Sequence, residues 1–166
     1  MQNKRVPDDT GLAGLVDELA SELFAIGWTM SAAESCTGGW IAKCCTDLAG
    51  SSAWFDRGFV TYSNESKHEL LGVDEKVLRD TGAVSREVAL QMVAGAKGRA
   101  GTDVAVAVTG IAGPGGGSSD KPVGTVWLAW ATRESLDAEM MVFHGDRESI
   151  RRLTVQHALR GLIDRL

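Results

Sequence analysis

The seven residues 103–109, DVAVAVT, constrain the fold more strongly than any other stretch of the chain. After Asp103 the run carries no charge and consists of small and β-branched residues, which is typical of a strand buried on both faces. Such strands belong to sheets that are covered by helices on both sides. We therefore expect 103–109 to be the central strand of an α/β domain.

Helical patterns occur on both sides of this strand. Apolar residues three and four positions apart predict a first helix over residues 12–26. Four more helices are predicted to begin at capping residues, namely at Thr37, at Ser63 or Asn64, at Ser85 and at Asp146. A short helical piece is also predicted between Gly72 and Gly82.

Four further strands are predicted over 28–33, 55–63, 123–132 and 136–143. The last two are separated by a short polar connection and are most simply a hairpin. Strands that alternate with helices, followed by one hairpin, predict a three-layer α/β/α sandwich with a mixed sheet of about five strands. We place this single domain at residues 11–166, after a flexible tail of residues 1–10.

Charge and composition exclude several classes of protein. The net charge is −5 and no run of lysine or arginine exceeds two residues, so we expect no nucleic-acid partner. Neither a signal peptide nor a membrane-spanning segment is expected, since no apolar run is long enough. The three cysteines lack C-x-x-C spacing, which argues against a disulfide framework and a zinc site and favours the cytoplasm.

Residues capable of chemistry follow three of the predicted strands. The segments are AESCTGG at 33–39, TYSNESK at 61–67 and TGIAGPGGG at 109–117. In open α/β sheets, ligands bind outside the carboxyl ends of the strands, where loops and helix N-termini converge. The sequence therefore predicts a binding site at this edge of the sheet.

The glycine-rich loop over 110–122 could present backbone N–H groups to a phosphate or to a developing oxyanion. It matches neither the P-loop pattern nor the dinucleotide-binding pattern. An ordinary nucleoside triphosphate or dinucleotide site is therefore not expected. A mobile surface turn explains the same glycines equally well.

Ser35 is a candidate nucleophile because a strand-to-helix turn would project its hydroxyl beside the N-terminus of a helix. In a water-poor cleft Lys67 would become neutral and could accept the serine proton, while Tyr62 could relay that proton or orient the serine. A solvated lysine and an aromatic residue at a strand end fit the pattern as well. The three histidines lack a setting typical of a catalytic triad; they are His68, His144 and His157.

Three other residues near these segments have two interpretations each. Cys36 could be a competing nucleophile at a helix N-terminus, although a small buried hydrophobic residue is the favoured interpretation. Glu34 could be a general base, or it could hydrogen-bond the backbone of the turn, which we favour. Arg147 begins a helix, where it gains nothing from the helix dipole, so it either binds a carboxylate or phosphate or is simply exposed.

Taken in order, the segments AESCTGGW, AGSSAWFDRGFVTYSNESK, GAVS, TGIAGPGGG, KPVGTV and GDR resemble the CinA C-terminal domain family. The resemblance extends from about residue 12 to the end of the chain. It implies an α/β/α fold and the hydrolysis of nicotinamide mononucleotide (NMN) to nicotinic acid mononucleotide and ammonia, as part of pyridine nucleotide recycling. It also implies a homo-oligomer that needs no metal or organic cofactor.

By motif position, the resemblance implies that Ser35 is the nucleophile and that Lys67 and Tyr62 activate it. The substrate contacts that it implies are Ser52, Thr109, Gly110, Gly113 and Arg147. Our mechanistic hypothesis adds an oxyanion site on backbone donors of the turn formed by Thr37, Gly38 and Gly39.

Two other functions are possible for such a chain. One is a non-catalytic domain that binds a nucleotide or a partner protein, since a fold can persist without its activity. The other is a nucleotide pyrophosphatase, which would need clustered acidic metal ligands that no single loop supplies. Release of ammonia from NMN would distinguish the amidohydrolase from both.

Overall fold

The computed structural model describes residues 5–166, which form six α-helices and one five-stranded sheet. The helices are α1 (Asp9–Ile26), α2 (Trp40–Asp47), α3 (Asn64–Leu71), α4 (Glu75–Thr81), α5 (Arg86–Ala100) and α6 (Arg147–Ile163). The strands are β1 (Met30–Glu34), β2 (Phe55–Val60), β3 (Val104–Gly110), β4 (Thr125–Ala131) and β5 (Leu136–Val142). None of these helices is long and apolar enough to cross a membrane.

The strands lie in the order β2-β1-β3-β4-β5. Strands β2, β1 and β3 are parallel, whereas β4 and β5 continue the sheet as an antiparallel hairpin. β3 is the central strand, as the run DVAVAVT predicts. The predicted three-layer α/β/α sandwich with a mixed sheet of five strands is therefore confirmed.

The two faces of β3 differ in side-chain size. Its valines, at positions 104, 106 and 108, pack into the cluster that contains the apolar faces of α1, α2 and α6. Ala105 and Ala107 point the other way, into the cluster that contains the apolar face of α5. Both faces are fully buried because a layer of helices covers each of them.

A glycine lets α5 approach the end of α3 closely. A Cβ atom added at Gly95 would lie 2.0 Å from the carbonyl oxygen of Leu71, the last residue of α3. No side chain fits in that space, so the close approach of the two helices requires glycine here. This contact fixes the position of α3, the helix that carries Lys67.

Most predicted helix starts agree with the structure. The side chains of Ser63, Ser85 and Asp146 each accept a hydrogen bond from the backbone N–H three residues later, which caps α3, α5 and α6. The start of α1 differs, because Asp8 caps this helix and it begins at Asp9 rather than at residue 12. Residues 9 and 10 of the expected tail are thus helical, and its residues 1–4 lie outside the described part of the chain.

The start of α2 also differs from the prediction. The helix begins at Trp40, and its N-cap is Gly39, with a φ of 101° and no side-chain cap. Thr37, the predicted cap, donates its hydroxyl to the Glu34 carboxylate instead, at 2.7 Å. The turn between β1 and α2 is therefore longer than expected, since two glycines with positive φ stand between Thr37 and the helix.

Candidate active site

A cavity of about 190 Å³ opens at the carboxyl edge of the parallel strands. Seven of the residues singled out in the sequence line it, namely Ser35, Cys36, Tyr62, Lys67, Thr109, Gly110 and Arg147. Wider grooves exist elsewhere, such as one of about 330 Å³ between α3 and α4. That groove holds no buried nucleophile, so the smaller cavity is the candidate site.

Strand register places three hydroxyl residues side by side at this edge. Glu34 at the end of β1 is in register with Val60 of β2 and with Val108 of β3. One residue further along, Ser35 follows β1 and is flanked by Thr61, which follows β2, and by Thr109 of β3. The ladder continues there, since the Ser35 N–H donates to the carbonyl of Val108 at 3.1 Å.

Lys67 is the residue that gives Ser35 a chemical partner. Its Nζ lies 3.1 Å from Ser35 Oγ, 2.8 Å from the carbonyl oxygen of Thr61 and 3.2 Å from that of Tyr62. Only 1% of the Lys67 side chain is exposed. The cap at Ser63 turns the chain sharply after β2, so the fourth residue of α3 points back towards the end of β1.

Burial lowers the pKa of Lys67 to about 8. A neutral amine has two N–H donors and one lone pair. Those three functions match the surroundings of Nζ, because two carbonyl oxygens accept and the Ser35 hydroxyl can donate. The geometry therefore suits a neutral lysine that takes a proton from serine.

Tyr62 contributes to the cavity in two separate ways. Its carbonyl oxygen holds Lys67, while its phenol is 64% exposed and lies at the mouth of the cavity. The phenol oxygen accepts a hydrogen bond from Arg147 Nη2 at 3.4 Å, and Arg147 Nη1 donates to the carbonyl of Gly113 at 2.7 Å. The mouth therefore carries a guanidinium group whose position is set by the glycine-rich loop.

Glu34 holds the turn that follows β1. Its buried carboxylate accepts hydrogen bonds from the Thr37 hydroxyl and from the backbone N–H groups of Ile41 and Ala42, at 2.7–3.0 Å. Desolvation raises its pKa, and these hydrogen bonds oppose that rise. The interpretation of Glu34 as a brace for the turn is confirmed, because its oxygen atoms are engaged by the turn and by the first residues of α2.

Cys36 is a buried thiol. Desolvation raises its pKa to about 12, so the thiolate is scarce at neutral pH. The residue belongs to the cluster that contains α1, α2 and α6. The interpretation of Cys36 as a small buried hydrophobic residue is confirmed.

The oxyanion donors expected from the turn formed by Thr37, Gly38 and Gly39 need correction. The Gly38 N–H already donates to the carbonyl oxygen of Ser35 at 3.1 Å. None of these three residues lines the cavity. The prediction was wrong for Gly38, because the turn uses that N–H to close on itself.

Ser52 lies at the opposite edge of the sheet. It is part of a short 3-10 turn before β2, next to Trp54, whose carbonyl accepts from the N–H of Met30 at the start of β1. The five residues of β1 span about 16 Å. Within one chain Ser52 therefore does not reach the cavity, and the expected contact with a substrate bound there is not supported.

Three residues that sequence reasoning did not select also line the cavity: Ala83, Val84 and Ala112. The carbonyl of Ala83 accepts a hydrogen bond from the Thr109 hydroxyl at 2.9 Å, which ties the loop before α5 to the end of β3. These side chains have no reactive groups, so only their place in the segments GAVS and TGIAGPGGG could have indicated them.

The histidines lie outside the cavity. His68 Nδ1 is 2.8 Å from the carbonyl of Val73, and His157 Nε2 is 3.1 Å from a carboxylate oxygen of Glu139. Within residues 5–166, no group of three His, Cys, Asp or Glu residues could hold a metal ion. Lys67 is thus the basic group placed beside Ser35.

Comparison with known proteins places this site in a family. The family model described as "CinA C-terminal domain" matches residues 12–166. The protein of Enterobacter agglomerans called nicotinamide-nucleotide amidohydrolase PncC is 56% identical over 152 residues, which cover 88% of this chain and 92% of that protein. The Escherichia coli K12 protein of the same name is 52% identical over 155 residues, covering 93% and 94% of the two chains.

A solved structure gives the same result for the fold. The crystal structure called competence/damage inducible protein CihA from Agrobacterium tumefaciens superposes with a TM-score of 0.91 at 48% identity, and covers 95% of this chain and 96% of that chain. The family match spans nearly all of the described residues and includes each segment that lines the cavity. The chain therefore belongs to the CinA C-terminal domain family.

Proposed function

We propose that the chain hydrolyses the carboxamide of NMN, giving nicotinic acid mononucleotide and ammonia. The observation that carries this proposal is the buried contact of 3.1 Å between Lys67 Nζ and Ser35 Oγ. A hydroxyl and a lysine of lowered pKa together form an activated nucleophile. Relatives that cover about nine tenths of the chain at more than 50% identity carry the name of this activity.

In the first step, Ser35 Oγ attacks the carboxamide carbon while neutral Lys67 takes the hydroxyl proton. The tetrahedral intermediate collapses, its C–N bond breaks, and the lysine ammonium gives the proton to the departing nitrogen. Ammonia leaves and an ester joins the nicotinoyl group to Ser35. Three acceptors around Nζ satisfy the ammonium in the meantime, since each of its three N–H groups has a partner.

In the second step, water attacks the ester carbon and Lys67 takes a proton from that water. The ester C–O bond breaks, and the proton returns to Ser35 Oγ. The carboxylic acid product loses its proton to solvent and leaves as the carboxylate, with the enzyme restored. Because the pyridinium ring of NMN withdraws electrons from the carbonyl in both steps, a serine activated by an amine can react with it.

The positive charge at the mouth of the cavity supports a nucleotide substrate over free nicotinamide. Pockets that enclose a whole drug-sized ligand measure about 300–1,000 Å³, so a cavity of 190 Å³ encloses the pyridine ring and leaves the ribose phosphate at the mouth. Arg147 lies at that mouth with the Tyr62 phenol. The exposed phenol suits a contact with the ribose phosphate better than a part in the proton transfer, which the sequence suggested.

Two broader proposals follow from this activity. The reaction belongs to the recycling of pyridine nucleotides, since it converts the NMN formed by NAD breakdown to nicotinic acid mononucleotide. The chain works as a homo-oligomer, and a Ser52 contact with substrate would have to come from a second copy, because Ser52 lies at the far edge of the sheet in its own chain.

The test is ammonia release from NMN, compared with nicotinamide, glutamine and NAD, each with and without a chelator. We expect turnover of NMN that the chelator does not change. The Ser35→Ala variant serves as the control for contaminating amidases. If the wild-type chain binds NMN but releases no ammonia, the non-catalytic binding domain becomes the better description.

A further inference from the structure

We propose that Arg151 is a positioning residue that aims the backbone N–H group of Cys36 at the oxyanion of the acyl transfer. The inference rests on the proposed function, because it assigns a role within the same reaction. Arg151 is not part of the sequence-based prediction of the site, and it lies 115 residues from Cys36 in the chain.

Arg151 reaches the turn after β1 from the second turn of α6. Its Nε donates to the carbonyl of Cys36 at 3.0 Å, and its Nη2 donates to the carbonyl of Thr37 at 2.9 Å. The guanidinium carbon also lies 5.0 Å from the ring centre of Trp40, the first residue of α2. One planar group therefore fixes two consecutive peptide units and the start of the next helix.

The orientation of these peptide units determines where their N–H groups point. The peptide bonds of this turn are trans, so each N–H points away from the carbonyl of the same unit. By holding the carbonyl of Cys36, Arg151 directs the Thr37 N–H away from α6. By holding the carbonyl of Thr37, it directs the Gly38 N–H onto the Ser35 carbonyl, and that bond in turn fixes the Cys36 N–H.

Among the residues of the turn, Cys36 lines the cavity and has an N–H left for a ligand. The Ser35 N–H donates to Val108, the Gly38 N–H to Ser35 and the Trp40 N–H to Thr37. Within residues 5–166, no acceptor is hydrogen-bonded to the N–H of Cys36 or Thr37. Cys36 directly follows the nucleophile and lines the cavity, so its N–H is the better placed of the two.

Arg152 provides a matched control on the same helix. Its guanidinium carbon lies 4.9 Å from the same Trp40 ring, so both arginines stack on one aromatic side chain. Arg152, however, forms ion pairs with Asp9 and Glu148 and does not contact the turn after β1. Changes at Arg152 therefore report the loss of a stacked arginine without the loss of the two carbonyl contacts.

The experiment compares three variants of the full chain, Arg151→Met, Arg151→Lys and Arg152→Met, with the wild type. We expect Arg151→Met to lower kcat about 100-fold, as the loss of an oxyanion donor does, with KM nearly unchanged. Arg151→Lys should recover only part of the rate, since one ammonium cannot hold both carbonyls as a planar fork does. Arg152→Met should keep the wild-type kcat.

A second readout separates positioning from folding. Arg151→Ala, assayed with added guanidinium ion, should regain part of its kcat, whereas a misfolded variant would not respond. The inference is overturned if Arg151→Met and Arg152→Met have equal kcat, or if the loss at Arg151 lies entirely in KM.

Acylation of Ser35 by a nitrophenyl ester distinguishes this inference from the NMN proposal. The oxyanion site should serve any acyl transfer to Ser35, so the ester reaction should show the same dependence on Arg151. Failure of NMN turnover with an Arg151-dependent ester reaction would reject the substrate and keep the positioning role. An ester reaction that is absent, or that ignores Arg151, would reject the positioning role.

Discussion

Lys67 contacts Ser35 from α3, and Cys36 follows Ser35 in the turn after β1; burial changes the chemistry of these two neighbours in opposite directions. Desolvation disfavours the charged form of each group, so the pKa of the lysine falls to about 8 and that of the thiol rises to about 12. The same physical effect turns the lysine into a base near neutral pH and leaves the thiol unreactive. Burial of an ionisable side chain therefore indicates catalysis only where the neutral form of that side chain is the reactive form.

The surroundings of Lys67 and of the turn also differ in what their polar atoms contact. On the lysine side, Nζ is held by the Ser35 hydroxyl and by the carbonyl groups of Thr61 and Tyr62, around a cavity that a substrate can enter. On the turn side, the Glu34 carboxylate is already engaged by the turn and by α2. We therefore expect changes on the lysine side to affect turnover, and changes at Glu34 and Cys36 to affect mainly stability.

The largest expected effect follows removal of the nucleophile. Ser35→Ala should lower kcat for NMN by on the order of 10⁴, because the covalent step is lost. Steady-state ammonia release and the urea unfolding midpoint are measured together. A variant that folds normally and retains more than a tenth of the rate would disprove the serine mechanism.

Loss of the base should have a slightly smaller effect. Lys67→Met should lower kcat by about 10³, within the range of general-base catalysis. Lys67→Arg should be as inactive, because a guanidinium group does not lose its proton in this pH range. Full activity of the arginine variant would show that only a positive charge is needed there.

The pH dependence of the wild-type rate follows from the lowered pKa. Activity needs the neutral amine, so kcat/KM should rise about tenfold per pH unit up to a pH near the Lys67 pKa, which is about 8, and then level off. Measurements should stay above pH 6.5, because the phosphate group of NMN itself titrates at about pH 6. A rate that falls as pH rises from 6.5 to 8 would contradict the lysine base.

On the turn side, Glu34→Gln should lower the free energy of unfolding by about 1–3 kcal/mol, since an amide NH₂ would face backbone donors in a buried site. Urea denaturation measures this change. Asp47→Asn is the matched control, because Asp47 is an exposed acid at the end of α2 and its loss should cost under about 0.5 kcal/mol. Equal values for the two variants would show that Glu34 does not hold the turn.

The smallest effect on turnover is expected at the thiol. Cys36→Ala should keep kcat within about threefold of wild type, since the residue behaves as a small hydrophobic group. Its stability should fall by about 1 kcal/mol for the small cavity created. If Cys36→Ala abolishes turnover while Ser35→Ala does not, Cys36 rather than Ser35 is the nucleophile.

The sequence was sufficient for the fold and for the expectation that Ser35 and Lys67 meet at one edge of the sheet. The run DVAVAVT identifies β3, and capping residues such as Ser63 and Ser85 identify where helices begin, because both signals are local. Ser35 and Lys67 could be predicted together because each follows a parallel strand, and the carboxyl ends of neighbouring parallel strands meet. The structure places them 3.1 Å apart.

Long-range contacts account for what could not be predicted. Which N–H groups of the turn remain free depends on Arg151, a residue of the last helix, and no local pattern reveals that contact. Ser52 illustrates residues that are close in sequence but far apart in the fold. It lies ten residues before Tyr62, but the whole length of β2 separates the two, so they lie at opposite ends of that strand.

The uncharged partners of Lys67 have a consequence for ionic strength. Dissolved salt screens attractions between exposed charges, but it has little effect on a buried amine held by a hydroxyl and two carbonyls. Arg147, at the mouth of the cavity, would meet the substrate's phosphate near solvent, where screening is strong. Added salt should therefore weaken capture of the nucleotide while leaving the rate of bond cleavage in the filled site unchanged.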